Sequence, residues 1–146
     1  MMQFSQELNR ASYTIRSYAA GRIHISAPFS RTLAQPEVPV EEVLTESFIM
    51  TPSHLIRNWP PQTVAEICAE HLETAARLEP EVLIIGTGAT LEFPDVTLTY
   101  GLMEQGIGVE VMDTAAACRT YNVLMHEGRR VALALCLKGS EPFILA

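Results

Sequence analysis

The stretch 82–137 constrains the possible architecture more than any other part of the chain. Val82-Leu83-Ile84-Ile85 is an unbroken aliphatic run closed by Gly86-Thr87-Gly88, the pattern of a strand covered on both faces and stopped by a turn. Further strands are expected at 108–112 and 130–137, with a helix before each. The first helix, 98–105, places Leu98, Leu102 and Met103 on one face and Gly106 at the left-handed stop. Gly101 in its interior costs about 1 kcal/mol relative to alanine. The second helix, 115–127, buries Ala117, Tyr121, Leu124 and Met125 and stops at Gly128. Strand, helix, strand, helix, strand with short connections predicts parallel neighbours joined by crossovers, a βαβαβ-like core.

The first third of the chain has a different grammar. Residues 1–11 read as a polar leader, and 12–146 as one α/β domain. Alternation through Tyr13, Ile15 and Ser17, a turn at Ala20-Gly21 and then Ile23-His24-Ile25 predict a hairpin. Strands are expected at 29–33 and 46–50, and Pro36 and Pro39 interrupt the segment before 40–44. Hairpin-length connections imply antiparallel pairing. Pro60-Pro61 then opens an expected amphipathic helix that buries Val64, Ile67, Cys68, Leu72, Ala75, Ala76 and Leu78 and ends before Pro80.

At 146 residues and 48% hydrophobic content, one domain of this size buries roughly 68–70% of its unfolded surface and needs no disulfide or metal staple. The net charge is -7 and no basic run occurs, which argues against a nucleic-acid partner or an anionic membrane surface. Nothing resembles an export signal or a spanning helix, so a cytoplasmic protein without direct membrane insertion is expected. Cys68, Cys118 and Cys136 are odd in number and widely spaced, and read as reduced core thiols rather than a disulfide or metal set.

Candidate sites are few. Gly86-Thr87-Gly88 after a strand invites comparison with a phosphate-binding glycine loop, but Leu91 holds the third glycine position and Phe93-Pro94 intervenes before any helix. If 82–85 and 109–112 are parallel neighbours, their carboxyl ends bring Gly86, Thr87 and Gly88 beside Asp113 and Thr114, where open α/β sheets bind ligands. A small anion or polar group is the candidate ligand, with Tyr121 and Asn122 in reach if the helix angle allows. The ordinary alternative is that Asp113 or Thr114 caps the helix. Cys118 and His126 lie roughly 12 Å apart along one helix, beyond hydrogen-bond reach, and the other histidines lack ligand spacing, so no catalytic residue, metal or cofactor is assigned. Asp95 after Pro94 reads as a turn residue. Trp59, in the Pro-rich junction, is a candidate interface anchor, with core packing as its alternative.

The combination PEVLIIGTG, FPD and GIGVEVMDTAAACRTYNVLMHEGRRVALAL resembles a small single-domain family of bacteria and archaea. Its eukaryotic relatives include a mitochondrial respiratory complex I assembly factor and an adipogenesis-associated protein. The resemblance covers 13–137 and is most specific in LIIGTG, EVMDT and TYN. It departs at the C-terminal edge, where Cys136-Leu137-Lys138-Gly139 stands in place of a proline-containing end. The resemblance implies a three-layer β/β/α domain with an antiparallel N-terminal part, and for most bacterial members no established reaction. It also implies a non-catalytic accessory or assembly protein whose partner is a component of a respiratory or other membrane complex. The alternative from the residues is a small-molecule or anion-binding protein, or an enzyme, using the Gly86 to Gly88 and Asp113-Thr114 loops.

Overall fold

The structure is a computed structural model that describes residues 12–28 and 40–137. The expected hairpin is present as β1 (Thr14–Ala19) and β2 (Arg22–Ala27), antiparallel and joined through Gly21 at a φ of 69°, which a side chain would disfavour. β3 (Val40–Leu44) pairs antiparallel with β2, completing a sheet of order β1-β2-β3. The leader at 1–11 and the strand expected at 29–33 lie outside the described residues.

A second sheet holds β4 (Phe48–Met50), β5 (Leu55–Ile56), β6 (Val82–Gly86), β7 (Gly108–Met112) and β8 (Val131–Leu135) in the order β5-β4-β8-β6-β7. β6 is parallel to both β7 and β8, while β4 runs antiparallel to β8. The pleat sends alternate side chains of β6 and β8 to opposite faces. Ile84, Leu133 and Leu135 join one core cluster, and Leu83, Ile85, Ala132 and Ala134 join the other. Burial on both faces is why these strands read as continuous apolar runs rather than alternating ones.

Among the described residues, three α-helices cover the second sheet: α1 (Ala69–Ala76), α2 (Val96–Glu104) and α3 (Thr114–His126). α3 lies between the two sheets, touching β1 as well as β6, β7 and β8, and buries Ala117, Cys118, Tyr121 and Met125 in the first cluster. α1 and α2 supply Leu72, Ala75 and Leu102 to the second cluster on the far face. The layers are therefore a small antiparallel sheet with α3, a central mixed sheet, and a helical layer. α2 and α3 stop as the glycines require: Gly106 N donates to Met103 O at 3.0 Å and Ile107 N to Leu102 O at 3.1 Å, and Gly128 N and Arg129 N do the same to Met125 O and Leu124 O. Both glycines have positive φ, 86° and 79°, completing a Schellman stop at each end.

Several expectations are corrected. The helix expected from Pro60-Pro61 onward is broken into a 3-10 turn at Val64–Glu66 and the eight-residue α1, because Ile67 and Cys68 are extended. The break holds because its amide is satisfied locally: Cys68 N donates to His71 Nδ1 at 3.0 Å. Trp59 closes the same corner, donating from Nε1 to His71 O at 3.3 Å and meeting the imidazole edge-on at 6.1 Å. Cys68 is consequently exposed rather than a core thiol, and His71 serves as a structural acceptor. In α2, Met103 is half exposed while Leu102 and Leu98 face the sheet. The helix begins two residues earlier than expected, capped by Asp95, whose Oδ1 accepts from Thr97 N at 2.8 Å and Thr97 Oγ1 at 2.7 Å.

Candidate functional site

The loops after β6 and β7 meet as the parallel pairing requires. Thr87 N donates to Met112 O and Thr114 N to Gly88 O, both at 2.8 Å. Thr87 closes its own loop, donating to Thr90 O at 2.7 Å and accepting from Glu92 N at 3.2 Å. Asp113 is the N-cap of α3, its Oδ1 accepting from Ala116 N at 2.9 Å. A concavity of about 440 Å³ opens beside Gly88, Asp113 and Thr114, with Tyr18 to Ala20 of the β1–β2 turn as its opposite wall. Phe93, 72% exposed, does not fill it. The hydroxyl of Thr114, a residue lining this concavity, is buried and has no hydrogen-bond partner among the described residues.

Gly86 serves packing rather than ligand approach. A Cβ there would overlap the Leu135 side chain and sit 3.3 Å from Ala117 Cβ, so the bare glycine lets α3 and β8 close on β6. Of the two glycines in this loop, Gly88, with a φ of 107°, is the one that needs the left-handed region.

Tyr121 and Asn122 are not part of this concavity. Tyr121 is fully buried and donates from its hydroxyl to Tyr13 O at 2.8 Å; burial pushes its phenol pKa up. Asn122 accepts from Ile15 N at 3.0 Å and donates from Nδ2 to Ile15 O at 2.8 Å. Its amide thereby imitates a neighbouring strand on the free edge of β1, next to the register shift between Ile15 and Ser17. Arg119 Nη1 adds a bond to Tyr18 Oη at 2.9 Å. The TYN run is thus the bolt between the two sheets. Trp59 is 3% exposed and belongs to the second cluster, so its ring offers no free face to a partner.

An exposed apolar surface lies on α2, and of its residues only Met103 was expected on the buried face. Val96, Tyr100 and Met103 recur at i, i+4 and i+7 and are 72%, 59% and 50% exposed, with Phe93 and Leu91 in the preceding loop also exposed. Leu98 and Leu102 face the sheet as their spacing predicts, whereas Met103 belongs with Val96 and Tyr100 on the opposite, exposed stripe.

Among the described residues no group of acidic, histidine or cysteine side chains has the clustering to hold a metal. Burial raises the Cys118 and Cys136 thiols to about 12, so neither supplies a thiolate nucleophile near neutral pH. Of the titratable groups described, none pairs with a second as a nucleophile and base at the Gly88 concavity.

Fold and site together define a small α/β domain in which the described residues form no evident reaction centre. Residues 15–136 match the model of a family described as "Protein of unknown function (DUF498/DUF598)", and the chain belongs to that family. It is 42% identical over 82 residues to the zebrafish (Danio rerio) protein named NADH dehydrogenase [ubiquinone] 1 alpha subcomplex assembly factor 3, a match covering 55% of this chain and 47% of that one. The chain thus spans about half the length of that curated relative. Among solved structures, the NMR structure of a Xanthomonas campestris protein superposes with a TM-score of 0.71 at 33% identity, covering 91% of this chain and 90% of the other. A Bordetella pertussis structure described as a Mth938-like domain gives 0.68 at 31% identity, covering 92% and 89%. No described helix is long and apolar enough to cross a membrane.

Proposed function

We propose that this chain is a non-catalytic accessory protein that binds another protein, a component of a respiratory or other membrane complex, from the cytoplasm. The exposed apolar face of α2, Val96, Tyr100 and Met103 together with Phe93, carries the reading, because side chains of this size leave water at the centre of protein interfaces. The similarity to a relative named as a complex I assembly factor supports a respiratory component as that partner. The free thiols and acidic balance support the cytoplasmic location. The test is recovery of the tagged protein from membranes of its native host at low salt, beside Tyr100→Ser/Met103→Ser. The wild type is expected to bring down a respiratory-complex component, and the folded variant about tenfold less. Equal recovery with both chains would exclude the α2 face.

A second reading, a small-molecule site at the Gly86 to Gly88 and Asp113-Thr114 loops, draws on the unpartnered Thr114 hydroxyl beside the concavity. The Asp113 carboxylate already occupies the start of α3, so the site favours a neutral or cationic polar group over an anion. Thr114→Val should abolish binding of such a ligand while leaving stability unchanged or raised. A metabolite found by thermal shift that binds the variant as tightly as the wild type would remove this reading.

A further inference from the structure

At the opposite end of the central sheet, where β6 and β8 begin, a second, half-open cavity of about 290 Å³ is lined by the β4–β5 turn, by Leu78 and Pro80 between α1 and β6, and by the chain leaving α3. Its volume is at the lower end of small-ligand sites, which start near roughly 300 Å³. The floor is apolar, with Leu78 and Met125, whereas Ser53, His54, Arg129 and Arg130 form the polar wall.

The wall is built rather than loosely assembled. Thr51 Oγ1 accepts from His54 N at 2.9 Å and from Ser53 N at 3.2 Å, fixing the turn. Ser53 Oγ and His54 Nδ1 are 2.9 Å apart. Whichever of them holds the shared proton, the pair retains one further donor: the imidazole Nε2–H in one tautomer, the serine O–H in the other. Arg130 engages the Glu79 carbonyl through Nε at 3.3 Å, and Arg129 makes one contact with Glu81, Nη2 to Oε2 at 3.6 Å. Two guanidiniums against one carboxylate leave the wall net positive within a chain of net charge -7. Both arginines follow the Gly128 stop of α3, whose hydrogen bonds already satisfy the last carbonyls of the helix, so their charge is not consumed in capping.

We propose that this cavity binds a small organic carboxylate with a short apolar body. The acid group lies between Arg129, Arg130 and the Ser53–His54 pair, and the body rests on Leu78 and Met125. The observation behind the proposal is the coincidence, in one cavity, of apolar side chains and a cationic, donor-bearing wall, which suits an anion with a hydrocarbon tail better than either alone. The site is independent of the α2 face and makes no demand on the protein-contact reading.

The test is nitrogen–proton NMR of the whole chain at low salt with three probes of one length: sodium hexanoate, hexanol and hexylammonium. Hexanoate is expected to shift the amides of Thr51, Ser53, His54 and 128–131 with a Kd of about 1 mM, typical of so small a ligand. Hexanol should bind the same place more weakly, and hexylammonium not at all. Arg129→Gln, which alters an exposed side chain and should fold normally, is expected to weaken hexanoate about tenfold and leave hexanol unchanged. Equal responses to hexanoate and hexanol would make the cavity merely apolar and overturn the proposal. So would hexanoate shifts confined to other residues, or unchanged hexanoate binding by the variant.

Discussion

Replacing Gly86 by alanine tests the packing at the centre of the molecule with one methyl group. The added Cβ would overlap Leu135 and press on Ala117, and both neighbours are fully buried. Neither can turn into solvent, so Leu135 must leave its rotamer or β6 must move away from α3. Overpacking of a filled core costs about 1–3 kcal/mol. At this chain length that corresponds to a fall in Tm of about 3–12 °C, read by circular dichroism melts and checked by urea unfolding. A double-mutant cycle makes the cause specific. Leu135→Ala alone should cost about 2–5 kcal/mol, but combined with Gly86→Ala it removes the atoms that clash. The double variant should then be more stable than the sum of the two by about 1–3 kcal/mol. Gly101→Ala is the control: nothing lies within 4 Å of a Cβ there, so the substitution should stabilise α2 by about 1 kcal/mol. A Gly86→Ala protein that melts like the wild type, or a cycle whose costs simply add, would refute the reasoning.

Asn122→Ala strips the partners from both Ile15 N and Ile15 O; a loss of about 2–4 kcal/mol is expected, with hydrogen exchange accelerating in β1 before β6. Native protein treated with a thiol reagent at pH 8 should react at Cys68 only, since Cys118 and Cys136 are buried with pKa values near 12; prompt labelling of all three would contradict the packing. The Arg57 guanidinium, bonded at 2.9 and 2.6 Å, holds the Glu42 carboxyl below its usual range. Because the folded-state pKa is the depressed one, this contribution to stability is present above the ordinary carboxylate value and disappears as pH falls through the folded pKa. Carboxyl NMR titration of Arg57→Gln should find Glu42 moved upward, and its acid unfolding curve should lose that part of its pH dependence.

The α/β core was legible because its signals are local and agree with one another. Val82 to Ile85 is apolar on both faces, Gly106 and Gly128 stop their helices, and Asp113 caps the next one. The 60–79 segment was misread because apolar residues at helical spacing say nothing about a backbone break. The break depends on Trp59 and His71 satisfying donors and acceptors across a corner. The juxtaposition of the Gly88 and Asp113 loops followed from strand order, yet Tyr121 and Asn122 are aimed by the tilt of α3 between two sheets, which no spacing along α3 reveals. Likewise the cavity at Ser53 and Arg129 joins residues more than seventy positions apart, and neither half carries a motif.

The central claim is that the α2 face meets a protein partner. A photo-cross-linking residue placed at position 100, with position 127 on the exposed end of α3 as the control, tests it in the native host. The expected result is a single heavier adduct from position 100, identified by mass spectrometry as a respiratory or other membrane-complex component, and none from position 127. No adduct at position 100, or the same adducts from both positions, would contradict the claim.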